Sequence, residues 1–452
     1  MVVQTGRVIP SRAGFFSQYP AGSDSFPHAT GSQSPTHSSR YGSSNVYAPK
    51  RVHLGDVTYP VTGPVIGVIG GGQLARMMAP AATNLGINLQ ILAEAPTVGA
   101  VAAVRTAPVG DYKDLDTLRE FVRGKDVITF DHEHVPTEFL RTLMAEGVNV
   151  QPQPDALQYA QDKLLMRQAV ERLGLPNPRW AKVSTLDELL AFGDEIGWPV
   201  VLKTPRGGYD GKGVLVLDSP TEARERSSEW FEQLPSRTDF SALLAEEKVP
   251  FTRELSALVA RRESGEVRPW PVVETIQVNS ICDEVIAPAQ NLAPEIAEAA
   301  AAAAVTIASE LGVTGVMAAE LFEVPGSPAG FYINELAMRP HNTGHWTQNG
   351  SVTSQFEQHL RAVLDLPLGD TSVLDEVAVM KNYLGGENED IFGVYPLALS
   401  AEPRAKIHFY GKETRPGRKI GHVNISGRVD ELENLRHSAA NAASILRDGR
   451  PL

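Results

Sequence analysis

The chain has 452 residues, of which 42% are hydrophobic and 21% are charged, and its formal net charge at pH 7 is -13. This length suffices for about three domains, and the negative charge disfavours nucleic acid or an anionic membrane as a partner. The single cysteine, Cys282, excludes an internal disulfide and a multi-cysteine zinc site. Because the sequence also shows no secretory signal and no long apolar run, it predicts a cytoplasmic location.

Residues 1–60 are rich in Ser, Gly, Pro, Tyr and His and show no periodic apolar pattern. Such a segment buries too little apolar surface to offset its ordering entropy, so the sequence predicts a disordered tail. Its acid-poor, Ser-rich makeup superficially matches an organelle transit peptide. Pro10, Gly14 and Pro20 disfavour the amphipathic helix that such peptides form.

The ordered chain is predicted to begin with a buried strand, a glycine turn and a helix, in VIGVIGGGQLARMM from Val65. Gly70, Gly72 and Ala75 nominally match the dinucleotide fingerprint, and Glu94 follows the second strand. The same turn serves any ligand with an anionic group near a helix N-terminus, so a nicotinamide-dependent dehydrogenase is only one alternative. A proline inside the predicted helix, residue 80, should kink it.

A third apolar strand, residues 127–130, leads into Asp131, His132, Glu133 and His134. Adjacent residues on a strand point to opposite faces, so only alternate members of this run can converge on one ligand. We interpret Glu133 as a substrate ligand and disfavour a zinc site, because no further metal ligands lie nearby in the sequence.

A helix over residues 162–173 precedes a strand that delivers Lys203, a glycine loop over 207–213 and a returning strand over 214–217. Four glycines in seven residues, with Lys212 among them, favour a hairpin whose backbone N–H groups close over phosphates. The Walker pattern is absent, because a strand and not a helix follows Lys212.

An apolar strand at residues 242–245 flows into a linker, EEKV, that favours an adenine edge site. Glu254 opens the next strand and is placed for ribose hydroxyls. Further along, two apolar strands, 315–322 and 331–336, carry Glu320 and Glu335 within their apolar runs. Carboxylates in such positions are unusual unless they bind something, and their oxygens suit Mg²⁺.

The strand at 331–336 ends in a polar loop with Arg339, His341 and Asn342, where α/β proteins commonly place chemistry. Near the end of the sequence, four basic residues lie within eight positions: Lys412, Arg415, Arg418 and Lys419. A charge run is usually a solvated surface, but Pro416 and Gly417 hold this one in a turn, which suits an anion clamp.

Together these segments resemble the ATP-grasp enzymes. The residues that carry the resemblance are Lys203, GGYDGKG, EEKV with Glu254, Glu320 and the INE of residues 333–335. The stretches GGGQLARM, HNTGHWTQNG and RPGRKIGHVN are similar to the N5-carboxyaminoimidazole ribonucleotide synthases of purine biosynthesis, and the match runs from Val65 to the C-terminus. Three residues depart from the family pattern: Ala75, Lys212 and Gln277 replace its usual glycine, arginine and histidine. An amide carries no charge, so the role of Gln277 is open.

This resemblance implies an α/β architecture. An ATP-grasp fold (161–368, lid about 176–245) would be preceded by a Rossmann-like parallel-sheet domain (63–160) and followed by a small β-rich C-terminal domain (369–452). The implied activity is ATP-dependent carboxylation of 5-aminoimidazole ribonucleotide by bicarbonate through carboxyphosphate, with ATP and Mg²⁺, in a homodimer. The alternatives are another ATP-grasp carboxylase that depends on biotin, a formate-dependent transformylase and an inactive binding protein.

The resemblance also implies roles for individual residues. It assigns catalysis to Arg339, Lys203 and Asp210, and Mg²⁺ to Glu320 and Glu335. The residues implied for ATP are Lys163, Lys203, Gly208, Tyr209, Asp210, Gly211, Lys212, Gly213, Glu246, Glu247, Lys248, Val249, Glu254, Gln277, Asn334 and Glu335. Those implied for the ribonucleotide and bicarbonate are Gln73, Glu133, Tyr209, Asp210, His341, Asn342, Lys412, Arg415, Arg418 and Lys419.

Overall fold

The computed structural model describes residues 50–54, 57–61, 63–207 and 213–452, with the backbone alone for 50–61. Strands β1 (Lys50–Leu54) and β2 (Val57–Val61) pair as an antiparallel hairpin. The sequence predicted disorder up to residue 60, whereas residues 50–54 and 57–61 pair as strands. The rest of the predicted tail, 1–49, lies outside the described residues.

A parallel sheet follows, in the order β4-β3-β5. Its strands are β3 (Val65–Ile69), β4 (Asn88–Leu92) and β5 (Val127–Phe130), and its helices are α1 (Gln73–Asn84), α2 (Leu115–Val122) and α3 (Thr137–Ala145). These strands confirm the strand–turn–helix pattern expected from the sequence. Helix α1 contains Pro80 and continues beyond it, so the proline does not end the helix.

Two helices lead out of this region, α4 (Pro154–Gln161) and α5 (Lys163–Arg172). Asp162 caps α5, because its Oδ1 accepts hydrogen bonds from the backbone N–H groups of Leu164 and Leu165. The chain then forms an antiparallel four-stranded sheet, in the order β6-β9-β7-β8, with two helices packed on it. Its elements are β6 (Trp180–Val183), α6 (Leu186–Ile196), β7 (Val200–Lys203), β8 (Val214–Leu217), α7 (Pro220–Gln233) and β9 (Leu243–Glu247).

The remaining strands form a nine-stranded antiparallel sheet, the central sheet, in the order β15-β14-β10-β12-β13-β16-β18-β17, with β11 paired to β10. The strands are β10 (Arg253–Arg261), β11 (Val267–Pro269), β12 (Val273–Val278), β13 (Ile281–Ala287), β14 (Gly315–Glu323), β15 (Phe331–Ala337), β16 (Val377–Leu384), β17 (Lys406–Phe409) and β18 (Lys419–Gly427). The helices are α8 (Pro294–Glu310), α9 (Thr347–Gly350), α10 (Gln355–Val363), α11 (Tyr395–Ala401) and α12 (Leu432–Asp448). Strands beyond residue 368 thus extend the same sheet and do not form one of their own.

The largest buried apolar cluster joins the parallel sheet to the central sheet. It includes Ile69 and Phe130 from the first and Met317 and Phe331 from the second, with Ile307 of α8 beside them. This shared core fixes the relative position of the two sheets that flank the site described below. Across the described residues, no helix combines the length and apolar character that a membrane span requires.

Candidate active site

A cavity of about 1220 Å³ is lined by residues from the parallel, four-stranded and central sheets. The predicted site residues that line it are Gln73, Glu133, Lys163, Lys203, Glu246, Glu247, Lys248, Val249, Glu254, Gln277, Glu320, Asn334, Glu335, Arg339, His341, Asn342, Lys412 and Lys419. Gly213, Arg415 and Arg418 are described but do not line it. Gly208, Tyr209, Asp210, Gly211 and Lys212 lie outside the described residues, so their predicted roles stay predictions.

The two predicted metal ligands face each other across a strand pair. Glu320 on β14 is the register partner of Glu335 on β15, and the register shifts immediately afterwards, where Leu321 pairs with Ile333. Asn334 is therefore the extra residue of a β-bulge. A bulge changes the direction in which neighbouring side chains point, and here both Asn334 and Glu335 line the cavity.

Like charges crowd this strand pair. Burial raises the pKa of Glu320 above its usual value, and the carboxylates of Glu335 and Glu254 raise it further. His341 Nε2 lies 3.5 Å from Glu320 Oε1, but burial and the nearby Arg339 lower the pKa of His341 to about 3. The imidazole is consequently neutral near pH 7 and does not balance the carboxylate charge.

Three cations pair with the carboxylates of Glu335 and Glu246. Lys163 Nζ lies 2.7 Å from Glu335 Oε1, and Lys203 Nζ lies 2.7 Å from Glu246 Oε2 and 3.4 Å from Asn334 Oδ1. The third is Arg167, whose fully buried side chain pairs with the other oxygen of Glu246. Although burial opposes the shift, Arg167 and Lys203 lower the pKa of Glu246 to about 2.

Arg339 is held at one edge of the cavity by Glu133. The Glu133 carboxylate accepts a hydrogen bond from Arg339 Nε at 2.7 Å and another from the backbone N–H of Met338 at 3.2 Å. Arg339 Nη1 donates to the Pro340 carbonyl at 3.2 Å. In the same loop, the buried amide of Asn342 has no nitrogen or oxygen partner for either Nδ2 or Oδ1. The amide interacts with the Cys282 thiol, and its free hydrogen-bonding capacity in the loop of a fixed guanidinium favours a small polar ligand at this place.

The glycine turn before α1 is filled by the protein itself. Asp131 Oδ2 accepts a hydrogen bond from Gly72 N at 3.1 Å, and Asp131 Oδ1 accepts one from Ala75 N at 2.7 Å. A side chain at position 72 would place Cβ 2.1 Å from the Asp131 carboxylate, which explains that glycine. Glu94 Oε2 accepts from Gly71 N at 2.9 Å. The positions that a dinucleotide phosphate and ribose would need are therefore occupied by carboxylates.

The region predicted for adenine and ribose lies where β9 leads to β10. Burial raises the pKa of Glu254, and a hydrogen bond from the Gln277 side chain partly opposes the shift. The rings of Phe251 and Phe322 stack with centroids 4.5 Å apart, and both line the cavity near Val249. Gln277 therefore supports the carboxylate that was predicted for ribose hydroxyls, without adding charge.

The basic turn divides into two parts. Lys412 Nζ donates to Gln73 Oε1 at 2.6 Å, and burial lowers the pKa of Lys412. Arg415 lies 2.6 Å from Glu413 Oε2 in an exposed pair, and Arg418 Nη1 donates to the Glu413 carbonyl at 3.3 Å. The structure thus brings Lys412 and Lys419 to the cavity and leaves Arg415 and Arg418 outside it.

The sequence predictions missed several residues that shape this site, chiefly Asp131 as a helix cap, Arg167, and the cavity residues His132, Cys282 and Phe322. A signal for Arg167 existed: it lies between Met166 and Val170 on the buried face of α5, where a charge requires a partner. Asp131 had no such signal, because its capping partner is distant in sequence.

Within the described part of the chain, no group of three or more His, Cys, Asp or Glu residues is arranged to hold a metal ion.

Three families match successive parts of the chain. The ribonucleotide synthetase preATP-grasp domain matches residues 64–161, the ATP-grasp domain matches 168–356, and the phosphoribosylaminoimidazole carboxylase C-terminal domain matches 378–435.

Individual relatives are similar over most of their length. The N5-carboxyaminoimidazole ribonucleotide synthase of Corynebacterium ammoniagenes is 48% identical over 387 residues, 85% of this chain and 92% of the relative. The Mycobacterium leprae synthase is 44% identical over 89% of this chain and 92% of its own. Among solved structures, the Aspergillus clavatus synthase in complex with ADP and 5-aminoimidazole ribonucleotide is 30% identical, with a TM-score of 0.74, over 84% of this chain and 99% of that chain.

Proposed function

This chain belongs to the N5-carboxyaminoimidazole ribonucleotide synthase family, and we propose that it carboxylates 5-aminoimidazole ribonucleotide with bicarbonate, converting ATP to ADP and phosphate. The observation that supports this most strongly is the carboxylate pair Glu320 and Glu335, which shares one cavity with Lys163, Lys203 and Arg339. The reaction forms a carbon–nitrogen bond and is that of an ATP-grasp ligase.

The carboxylate pair fits Mg²⁺. Two glutamates that oppose each other across a strand pair, with the pKa of one raised by burial and by the other carboxylate, are stabilised by a divalent cation. Glu320 and Glu335 would hold the ion, which supplies positive charge beside the ATP phosphates when it is bound. Lys163 and Lys203 would then pair with phosphate oxygens.

The first chemical step is phosphoryl transfer to bicarbonate. A bicarbonate oxygen attacks the γ-phosphorus, the bond from that phosphorus to the bridging oxygen breaks, and ADP leaves with the electron pair, giving carboxyphosphate. Arg339 orients bicarbonate, because a planar guanidinium matches a planar anion and Glu133 already fixes its Nε edge. The Asn342 amide, which has no nitrogen or oxygen partner within the described residues, is available to the same anion.

The second step transfers the carboxyl group. Carboxyphosphate breaks its carbon–oxygen bond to release CO₂ and phosphate, and the 5-amino nitrogen of the ribonucleotide attacks the CO₂ carbon. The displaced amine proton passes to phosphate, so atoms and charges balance. Because carboxyphosphate hydrolyses readily, the site must exclude water, and we assign that role to a lid formed by the four-stranded sheet and its glycine loop.

For the ribonucleotide, we propose that Gln73, Lys412 and Lys419 bind the phosphate side. Lys412 and Gln73 already contact each other at 2.6 Å on the cavity wall. Tyr209 and Asp210 of the glycine loop stay candidates for the imidazole side, with Asp210 as a catalytic group. Arg415 and Arg418 are left out of this proposal because they do not line the cavity.

The proposal also includes a cytoplasmic location, a homodimer and the predicted domain boundaries, which lie after residue 160 and between residues 368 and 369. Light scattering tests the dimer, which requires twice the mass of one chain. The single cysteine in a buried strand is consistent with a reducing compartment.

The proposed function is tested by ADP release in the presence of Mg²⁺, with bicarbonate and the ribonucleotide added together or singly. We expect rapid ADP formation with both, and a carboxylated ribonucleotide in the products by mass spectrometry. Turnover that requires biotin or formate would contradict the proposal, as would the absence of any carboxylated product.

A further inference from the structure

One arginine outside the cavity contacts three segments that the proposed reaction must keep in register. The side chain of Arg167, on α5, is fully buried, and its guanidinium uses all three nitrogens. Nε pairs with Glu246, Nη1 donates to Asn177 Oδ1 at 3.0 Å and to the Ile333 carbonyl at 2.6 Å, and Nη2 donates to the Asn334 carbonyl at 2.9 Å.

The first segment is the bulge that carries the metal-binding residues. Strand β15 is an edge strand of the central sheet. Its carbonyls at Ile333 and Asn334 accept hydrogen bonds from Arg167, which takes the place of a neighbouring strand. The next residue is Glu335. Two hydrogen bonds from a rigid planar group therefore set the backbone that presents Asn334 and Glu335 to the cavity.

The other two segments are the connections of the four-stranded sheet to the rest of the molecule. Asn177 lies just before β6, where the chain enters that sheet, and Glu246 lies near the end of β9, where the chain leaves it. The entering segment is also tied to β15, because Ile333 N donates to the Pro176 carbonyl at 3.0 Å. Arg167 thus touches both connections at once.

Through Glu246, Arg167 also reaches a phosphate-binding lysine. One oxygen of Glu246 binds Arg167 and the other lies 2.7 Å from Lys203 Nζ. Lys203 Nζ is in turn 3.4 Å from Asn334 Oδ1 on the bulge. A fully buried charge is costly unless it is paired and hydrogen-bonded, and this arginine pairs with Glu246 and donates from all three guanidinium nitrogens.

We propose that Arg167 is a positioning residue that locks both connections of the lid to the bulged metal-binding strand. The inference rests on the proposed function: the Arg167 side chain keeps Lys203 aligned with Glu335 during lid closure. A displacement of about 1 Å between reacting groups can cost roughly a hundredfold in rate. A loosened lid also admits water, which converts carboxyphosphate to bicarbonate and phosphate, so ADP forms without product.

The test is the ratio of ADP released to ribonucleotide carboxylated, measured with kcat and KM for the variant Arg167→Lys. Lysine keeps the charge but cannot reproduce a planar fork of five donors. We expect kcat to fall by roughly tenfold or more, the ratio to rise, and KM for the ribonucleotide to stay unchanged. Arg172→Lys, at an exposed position of the same helix, is the matched control and should leave all three quantities unaltered.

A second variant keeps the inference testable if Arg167→Lys does not fold. Asn177→Ala removes two hydrogen bonds at the lid entry, from Arg167 Nη1 to Asn177 Oδ1 and from Asn177 Nδ2 to the Arg167 carbonyl, and leaves the bonds to Glu246 and β15 in place. A raised ratio in either folded variant supports the inference. An unchanged ratio in folded protein, with activity reduced only in proportion to the folded fraction, overturns it and leaves Arg167 a residue of stability alone.

A failure of the proposed function gives a different result. In that case the unaltered protein itself forms no carboxylated ribonucleotide. The inference is then judged by hydrogen exchange of β15 and residues 174–179 with ADP and Mg²⁺ present. Faster exchange in Arg167→Lys than in Arg172→Lys supports the positioning role, and equal exchange overturns it.

Discussion

At the scale of single residues, the site depends on carboxylates placed where an apolar strand would exclude them. Glu320 and Glu335 were predicted as a pair from two separate strands, and the structure sets them in register. The cations beside them could not be assigned from the sequence, because Lys163 reaches Glu335 from a helix and Lys203 reaches Asn334 from another sheet.

Replacing either carboxylate should abolish most turnover. Glu320→Gln and Glu335→Gln keep the shape of the side chain and remove a proposed charged Mg²⁺ ligand, so we expect a loss of several kcal/mol of transition-state stabilisation. Steady-state kinetics at saturating Mg²⁺ measures this loss. The exposed Glu433→Gln serves as the control. Activity within about threefold of the unaltered protein, less than roughly 1 kcal/mol, would remove the metal assignment.

The two parts of the basic turn should behave differently. Lys412→Ala removes a charge-assisted hydrogen bond on the cavity wall, which costs on the order of 1.5 to 3 kcal/mol. KM for the ribonucleotide should therefore rise roughly ten- to a hundredfold, with KM for ATP little changed. Arg415→Ala, in the exposed pair with Glu413, should change neither value. Equal effects of the two variants would show that the phosphate lies elsewhere.

At the scale of elements, the glycine turn before α1 shows how a motif can match and still serve another purpose. The sequence placed the strand, turn and helix correctly. It did not reveal that Asp131, fifty-nine residues after Gly72, caps the helix, because nothing local marks that contact. A carboxylate at the helix N-terminus uses the N–H groups that would otherwise bind a phosphate.

Nicotinamide dinucleotides should consequently not bind. Calorimetry with NADH and NADPH at near-millimolar concentration should give no heat beyond dilution, while ADP with Mg²⁺ in the same cell provides the positive control. Micromolar affinity for either dinucleotide would mean that Asp131 and Glu94 leave the turn when ligand arrives.

Another element contact links the two main sheets through a histidine. His359 on α10 accepts a hydrogen bond at Nδ1 from Val316 N at 3.1 Å, so its proton resides on Nε2, which lies 2.8 Å from Thr129 Oγ1 on β5. Burial lowers the pKa of His359 to about 3. In the unfolded chain its pKa is near 6.5, so the unfolded state binds the extra proton between these values.

Acidification should therefore destabilise the protein through His359. The stability is fully present above about pH 6.5 and is lost as the pH falls toward 3. At pH 5 one such histidine costs about 2 kcal/mol. Denaturant unfolding at pH 7.5 and 5 should show a smaller decrease for His359→Gln than for the unaltered protein. The exposed His437→Gln is the control. Equal decreases in all three proteins would contradict the assignment.

At the scale of the whole molecule, the strands that carry the site and the helix after residue 162 were predictable, because each has a strong local apolar pattern. The sheet order was not, since antiparallel pairs such as β13 with β16 join segments far apart in sequence. The small β-rich C-terminal domain was predicted and matches its own family over residues 378–435, but the sequence did not reveal that its strands extend the central sheet. The hairpin at residues 50–61 was missed because its strands are short and lie in a polar region.

The residues of the site also divide into those that a local sequence pattern predicts and those that it does not. Residues carried by long motifs, such as Lys203 and Arg339, were predicted to share one site, and the structure places them on one cavity. Residues that act by contact across the fold, such as Arg167 and Asp131, were not predicted. A buried arginine that binds backbone carbonyls leaves no motif, because its partners are defined by position and not by residue type.

Isotope transfer shows whether ATP activates bicarbonate as carboxyphosphate at this site. If a bicarbonate oxygen attacks the γ-phosphorus and the carbon–oxygen bond then breaks, that oxygen stays on phosphate. With ¹⁸O-labelled bicarbonate, ATP and 5-aminoimidazole ribonucleotide, we expect one ¹⁸O atom in each phosphate released during carboxylation. Phosphate without ¹⁸O, formed alongside carboxylated ribonucleotide, would contradict it.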